Sequence, residues 1–339
     1  MPTKVAVVYW GSKGGGPRQL LNLIDSLIDS DNGLFFYISS NNELVTEIKS
    51  KQLTNLEVSQ LPTKVFQVLL NFRLRNRTIK KIMEDFEKNE ITRVYFLAPH
   101  PWDLSLAKRI IKRGGIEVWR GIHDAQRHPG DVWPTSYAIK KLIAYSTSLV
   151  CFSEHIEKKL TRFGKPLVRS FLFEVNREPK YISPEGSVLF VGRIRKYKGL
   201  DLLAKAWPLV SNPKKSLTVA GKGANTSGLE EIGANIVDKW LSNSEIEDLV
   251  RSSKLVVLPY IEASQSGVIA IAHSLSTPVV VTPVGGLIDQ ISVGKNGLVA
   301  RTISPESLAE TIEQGLLIDW KLEIPDNPIP AFLIKLQAD

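Results

Sequence analysis

The residues of this chain best suited to chemistry are two cations and two glycine-bearing turns, each set at the end of an apolar run. Val188–Val191 stops at Gly192, Arg193 and Lys198 follow five positions apart, and apolar residues recur at helical spacing from Leu200. A guanidinium fork and an ammonium point charge at a helix start suit two adjoining phosphates, and they would stabilise a nucleoside diphosphate as it departs. A second apolar run, Leu255–Leu258, empties into Pro259-Tyr-Ile-Glu-Ala-Ser-Gln-Ser-Gly-Val268. There Ser266, Gly267 and Val268 lead into a helix whose first amides bind an anion without needing a particular side chain. Glu262 is the one carboxylate in the same turn.

Nearer the N-terminus, Gly11-Ser-Lys-Gly-Gly-Gly-Pro-Arg18 follows the first apolar run and precedes a helical pattern. Its consecutive glycines, Gly15 and Gly16 among them, let backbone approach a ligand closely. The spacing is not Gly-x-Gly-x-x-Gly, so a NAD-dependent oxidoreductase is disfavoured. Gly121-Ile-His-Asp-Ala-Gln-Arg-His-Pro-Gly-Asp131 is the densest polar cluster and sits directly after a strand pattern. His123, with Asp124 to orient it or to bind hydroxyls, is the leading candidate there, and His128 is a second. A metal site from His123, Asp124, His128 and Asp131 is the weaker reading, because the turn at Pro129-Gly130 leaves their convergence unsupported.

The elements that must position these residues alternate. Strand patterns at Val5–Tyr9, Leu34–Ile38, Arg93–Leu97, Glu117–Arg120 and Ser148–Phe152 are separated by helical ones such as Gln19–Ile28 and Leu104–Lys112. The second half repeats the scheme at Val188–Val191, Leu217–Val219, Leu255–Leu258 and Pro278–Val281. Such alternation predicts α/β architecture with parallel, doubly wound sheets and ligands at the carboxyl ends of their strands. We expect residues 1–173 to form one Rossmann-like domain, 174–186 a polar linker and 187–316 a second such domain, the two facing across a cleft. Residues 317–339 form a tail that returns to the first domain or remains apart from it.

A chain of 339 residues with 43% hydrophobic content supports two cores. The single cysteine, Cys151, excludes an internal disulfide and points to a reducing compartment. No apolar run approaches a membrane span or a signal peptide, so a cytoplasmic protein is expected. The net charge of +8 resides in the first half. Much of it lies in Lys64–Ile82, where Phe66, Leu69, Leu70, Phe72 and Leu74 interleave with Arg73, Arg75, Arg77, Lys80 and Lys81. Residues 64–81 are read either as a surface helix docked on its own domain or as a contact with an anionic membrane surface. Nucleic acid is the weakest partner, since no recognition motif accompanies the charge.

Taken together, Gly192-Arg193, Lys198-Gly199 and Thr277-Pro-Val-Val280 resemble the retaining GT-B glycosyltransferases of the family 4 type, the glycosyl transferases group 1. The resemblance is specific in the second half and looser in the first. It implies a GT-B fold and transfer of a sugar from a nucleotide diphosphate sugar to an acceptor hydroxyl, on a glycan or a lipid-linked carrier. It also implies no cofactor and no metal, because Arg193, Lys198 and helix-start amides take the place of a divalent cation. By the same resemblance, Gly15, Gly16, Gly192, Ser266, Gly267 and Val268 contact the donor, His123 approaches the transferred sugar, and Asp124 and His128 bind acceptor. Ser153-Glu154, Gly221-Lys-Gly223 and Trp240–Glu247 match lesser family segments, each equally compatible with turn or capping chemistry. One departure stands out: the family pattern Glu-x7-Glu falls here on Ala263 and Ile271, with Glu262 one residue off register. That departure keeps open a relative that binds sugar or nucleotide without transferring it. An epimerase or a phosphorylase of the same fold is a further rival.

Overall fold

The structure is a computed structural model, and it describes residues 3–27, 33–62, 71–124, 135–170, 174, 185–223, 227–322 and 326–338. The chain divides into two compact units. The first is built on a seven-stranded sheet: β1 (Val5–Tyr9), β2 (Leu34–Ser39), β3 (Leu56–Ser59), β4 (Arg93–Phe96), β5 (Glu117–Ile122), β6 (Ser148–Cys151) and β7 (Leu167–Arg169). Its order is β3-β2-β1-β4-β5-β6-β7, with every pair parallel. Both faces of a parallel sheet are covered by its crossover helices, which is why β1 is buried along its whole length. Order reverses on either side of β1, so the carboxyl ends of β1 and β4 lie at a switch point where ligands bind in such sheets.

The second unit carries a six-stranded parallel sheet: β8 (Ser187–Val191), β9 (Ser216–Ala220), β10 (Asn235–Val237), β11 (Leu255–Leu258), β12 (Val279–Val281) and β13 (Gly297–Val299). Its order is β10-β9-β8-β11-β12-β13, and β8 and β11, whose ends carry the two anion-suited turns, are neighbours. Helix Gly267–Ser274 runs from the β11 turn into the core, burying Ile269, Ala272 and His273. Burial holds the His273 imidazole down at about 4, although it bonds to the Asn296 backbone, and its Nε2 has no hydrogen-bond partner among the described residues. An unfolded histidine titrates near pH 6.5 (about), so between about 6.5 and about 4 the unfolded chain takes up a proton that the folded unit refuses. Acidification from about pH 7 to about pH 5 is therefore expected to cost the second unit about 2 kcal/mol at this residue. Denaturant unfolding at the two pH values should show His273→Leu lacking that part of the loss.

The C-terminal segment contains a helix, Ile329–Gln337, which belongs to the first unit. Phe332 meets Tyr95 edge-on at 5.5 Å, and Arg93 Nη1 donates to the carbonyls of Leu336 at 2.6 Å and Ala338 at 2.8 Å. A buried guanidinium thus satisfies carbonyls that the helix end leaves open. The basic stretch yields helix Phe72–Lys88, anchored by Ile79, Ile82 and Phe86, with Phe72, Arg73, Arg77, Lys80 and Lys81 outward. Residues 63–70, and with them Phe66, Leu69 and Leu70, lie outside the described residues. Among the described residues no helix is long and apolar enough to cross a membrane.

Candidate active site

In the second unit the ends of β8 and β9 are woven together. Gly192 N–H donates to Ala220 C=O, Ile194 N–H donates to Lys222 C=O, and a Cβ on Gly221 would sit 1.8 Å from Gly192 O. Gly221 and Gly223 are therefore glycines because two backbones cross there, with no ligand needed to explain them. Between the crossings Arg193 projects outward, with Ile194 buried beside it. Arg193 makes no hydrogen bond or ion pair among the described residues, which leaves its fork available to an anion.

A 3₁₀ turn, Lys196–Lys198, then brings the chain onto the β11 turn. Gly199 adopts φ +70°, and a Cβ there would lie 1.8 Å from Pro259 O, so no other residue fits. Ile261 N–H donates to Tyr197 C=O at 2.9 Å, and Lys198 Nζ stands 3.7 Å from the Tyr260 ring centroid. The ammonium is thereby held by a cation–π contact at the mouth of the second turn. Tyr260 is fully buried, and its hydroxyl lies 3.4 Å from Ser266 Oγ.

Ser266 itself is a brace. Its N–H donates to Gln290 Oε1 at 2.8 Å, and its carbonyl accepts from Gln290 Nε2 at 3.0 Å. Its backbone and hydroxyl are thus engaged within the turn, and the residue is buried. The helix-start amides of Gly267 and Val268 have no intrahelical carbonyl within reach. Nothing lies within 4 Å of a Cβ placed on Gly267, and its φ is ordinary. Neither packing nor backbone strain asks for glycine there. Gly267→Ala should leave stability unchanged or raise it by about 0.5–1 kcal/mol, since alanine is the better helix residue. Turnover should nonetheless fall, and paired thermal-melt and activity assays check both halves. Glu262 is exposed, whereas its neighbour Ala263 is buried.

In the first unit the glycine loop folds over Tyr9. A Cβ on Gly11 or on Gly16 would lie 2.2 Å from the Tyr9 hydroxyl, so packing requires those two glycines. Glycine at Gly16 is accordingly required by Tyr9. Gly15 is the counterpart of Gly267, with an ordinary φ and open space around its Cβ position. Glu43 pins the loop, its carboxylate accepting the Gly14 N–H at 2.8 Å.

At the end of β5, His123 stacks on Phe152 with centroids 4.3 Å apart and places Nε2 3.3 Å from Leu97 O. Burial lowers its pKa against the pull of Asp124, so the ring is neutral at physiological pH. Asp124 follows it, half-buried. His128 and Asp131 lie outside the described residues, and among those described no cluster of three metal-ligating side chains occurs. Ser153 caps helix Glu154–Leu160, and Ser242 with Glu245 forms a capping box at helix Asn243–Arg251, so both lesser segments have structural work. Tyr260, Gln290 and Tyr9 carried no sequence signal: an isolated Tyr or Gln looks the same whether it braces a turn or not.

Residues 185–317 match the family described as glycosyl transferases group 1. A D-inositol 3-phosphate glycosyltransferase of Corynebacterium aurimucosum is 32% identical over 144 residues, which is 38% of this chain and 34% of that protein. An uncharacterized glycosyltransferase of Methanocaldococcus jannaschii is 30% identical over 145 residues, 40% of this chain and 37% of the relative. The chain thus spans little more than a third of the length of these two curated relatives. Among solved structures, Anabaena HepE in complex with UDP and glucose aligns over 93% of this chain and 90% of that one, with a TM-score of 0.69 and 15% identity. The UDP-GlcNAc 2-epimerase of Methanocaldococcus jannaschii aligns over 99% of this chain and 100% of that one, at 0.64 and 12%.

Proposed function

Because this chain is a GT-B protein carrying a glycosyl transferases group 1 domain at residues 185–317, we propose that it is a retaining glycosyltransferase using a nucleotide diphosphate sugar. The observation that carries the reading is the tie between the two anion-suited turns. Ile261 bonds to Tyr197, and Lys198 is parked over Tyr260, so cation and helix-start amides belong to one rigid corner. Arg193, Lys198, Gly267 and Val268 would neutralise the departing diphosphate with no divalent cation. The acceptor enters on the face the leaving group vacates, and the departing phosphate oxygen takes its proton, so no strong protein base is required. Neutral His123 donates to or accepts from a sugar hydroxyl, Glu262 meets the donor sugar, Gly15 lets backbone approach it, and Asp124 with His128 binds acceptor.

Thermal melts against UDP, GDP, ADP, TDP and their sugars, without metal, test the reading. Saturable stabilisation by one nucleotide and release of its diphosphate on turnover are expected. No response to any of them would favour a second reading, a relative that no longer transfers sugar. That reading is motivated by Ala263 and Ile271, both buried, standing where the family pattern has carboxylates. The acceptor class is a glycan or a lipid-linked carrier, on the cytoplasmic face of a membrane. Residues 64–81 are the contact, and the outward Phe72, Arg73 and Arg77 support it. Co-sedimentation with phosphatidylglycerol vesicles should exceed that with phosphatidylcholine and fall on reversing Arg73 and Arg77 to Glu.

A further inference from the structure

The loop that follows β4, Leu97-Ala-Pro-His-Pro-Trp-Asp103, carries a histidine that no motif singles out. It lies at the carboxyl edge of the first sheet between two strand ends. Trp10, just past β1, meets the His100 ring edge-on at 5.5 Å, and Leu97 accepts the contact from His123 at the end of β5. His100 is half-buried, and its orientation is tightly specified. Its Nδ1 accepts the Trp102 N–H at 3.2 Å, which places the ring proton on Nε2. That Nε2 meets no hydrogen-bond partner among the described residues.

The backbone of the loop is held from below by a buried ion pair. His100 N–H donates to Asp103 Oδ2 at 2.8 Å, and the same oxygen receives Arg120 Nη1 at 3.1 Å. Arg120 is fully buried on β5, stacked over Phe96 at 4.3 Å and bonded through Nε to Ser146 Oγ at 3.1 Å. Gly121 follows it because a Cβ there would strike Leu97 O at 2.4 Å. The β4 and β5 loops are therefore locked to each other, with one imidazole on each. A buried pair costs more in desolvation than a packed apolar pair of the same size, so its placement directly under His100 suggests specification of geometry and not simple stability.

We infer that His100 is a second substrate-contacting imidazole, donating its Nε2–H to a hydroxyl oxygen of a sugar acceptor, with Asp103 and Arg120 as positioning residues. The inference rests on the glycosyltransferase reading. Burial supports it by holding the His100 pKa down at about 3, so the ring remains a neutral donor with Nδ1 committed to the loop.

The test uses the full chain, the nucleotide sugar giving the largest thermal shift, and two hydroxyl probes, octyl β-glucoside and methyl α-mannoside. His100→Phe keeps ring volume and removes the donor; His100→Gln restores an N–H near the Nε2 position. In His100→Phe the acceptor KM should rise about fivefold to tenfold, the worth of one hydrogen bond, with donor hydrolysis to water and nucleotide thermal shift unchanged. His100→Gln should recover most of the loss, which a merely structural residue would not show. An unaltered acceptor KM in folded His100→Phe would overturn the inference, as would a wild type that hydrolyses donor yet transfers to neither probe. A wild type that neither binds nor turns over any nucleotide sugar would overturn the glycosyltransferase reading itself, and this inference with it.

Discussion

Arg193→Ala combined with Lys198→Ala is expected to lower kcat/KM by about 10³ or more while leaving the chain folded. Removing one preorganised donor to developing negative charge costs about 10²–10³ in rate, and two groups serving one diphosphate act as a unit. Folding should be spared, because Arg193 is exposed and makes no ion pair among the described residues, while the ring contacts of Lys198 with Tyr260 and Tyr197 are worth about 1 kcal/mol each. The stabilisation of wild type by its nucleotide should vanish in the double variant. Lys198→Arg is the sharper control. A guanidinium carries the same charge and can stack on the Tyr260 ring, but its planar head spreads that charge away from the point the ammonium occupies 3.7 Å above the ring, so it should restore activity only in part. Full activity in the double variant would remove the diphosphate site from this corner of the molecule.

Arg120→Met is expected to destabilise the first unit by about 3–5 kcal/mol, the largest single effect on stability. It would leave the Asp103 carboxyl, only 1% exposed, without its counter-charge. Burial already lifts that carboxyl above the ordinary range even with Arg120 beside it. Arg120→Met with Asp103→Leu should cost much less than the sum of the single changes, since both charges then leave together. Urea unfolding of the full chain, followed by hydrogen exchange in β4 and β5, measures this for the first unit alone. A loss below about 1 kcal/mol for Arg120→Met would mean that water reaches the pair.

The central strands of both sheets were legible because each is a short apolar run bounded by turn residues, and runs such as Val5–Tyr9 and Leu255–Leu258 match the structure residue for residue. The edge strands were not. β3, Leu-Glu-Val-Ser, is half solvent-facing, while β7, β10 and β13 have three residues each. At an edge, strand identity comes from the neighbour's backbone and not from the strand's own apolar content. The tail was equally opaque: Ile329–Gln337 carries two prolines nearby and little helical signal, and its docking depends on Arg93 and Tyr95 more than two hundred positions earlier.

By itself the sequence determined that this is an α/β protein of two sheets, that Arg193, Lys198 and Gly267 end or begin elements at strand carboxyl ends, and that the positive charge belongs to the first half. Those properties follow from local periodicity and from residues close together in the chain. Only tertiary structure decided which glycines the packing itself requires. Gly16 and Gly267 look alike as letters, yet one is required by the Tyr9 ring and the other by nothing in the protein. It likewise decided that Ser266 braces a turn through Gln290, that Lys198 rests on Tyr260, and that His100 is held in place through Asp103 by Arg120. Each of these rests on atoms brought within a few ångströms by strand order, and distance in space is not written in spacing along the chain.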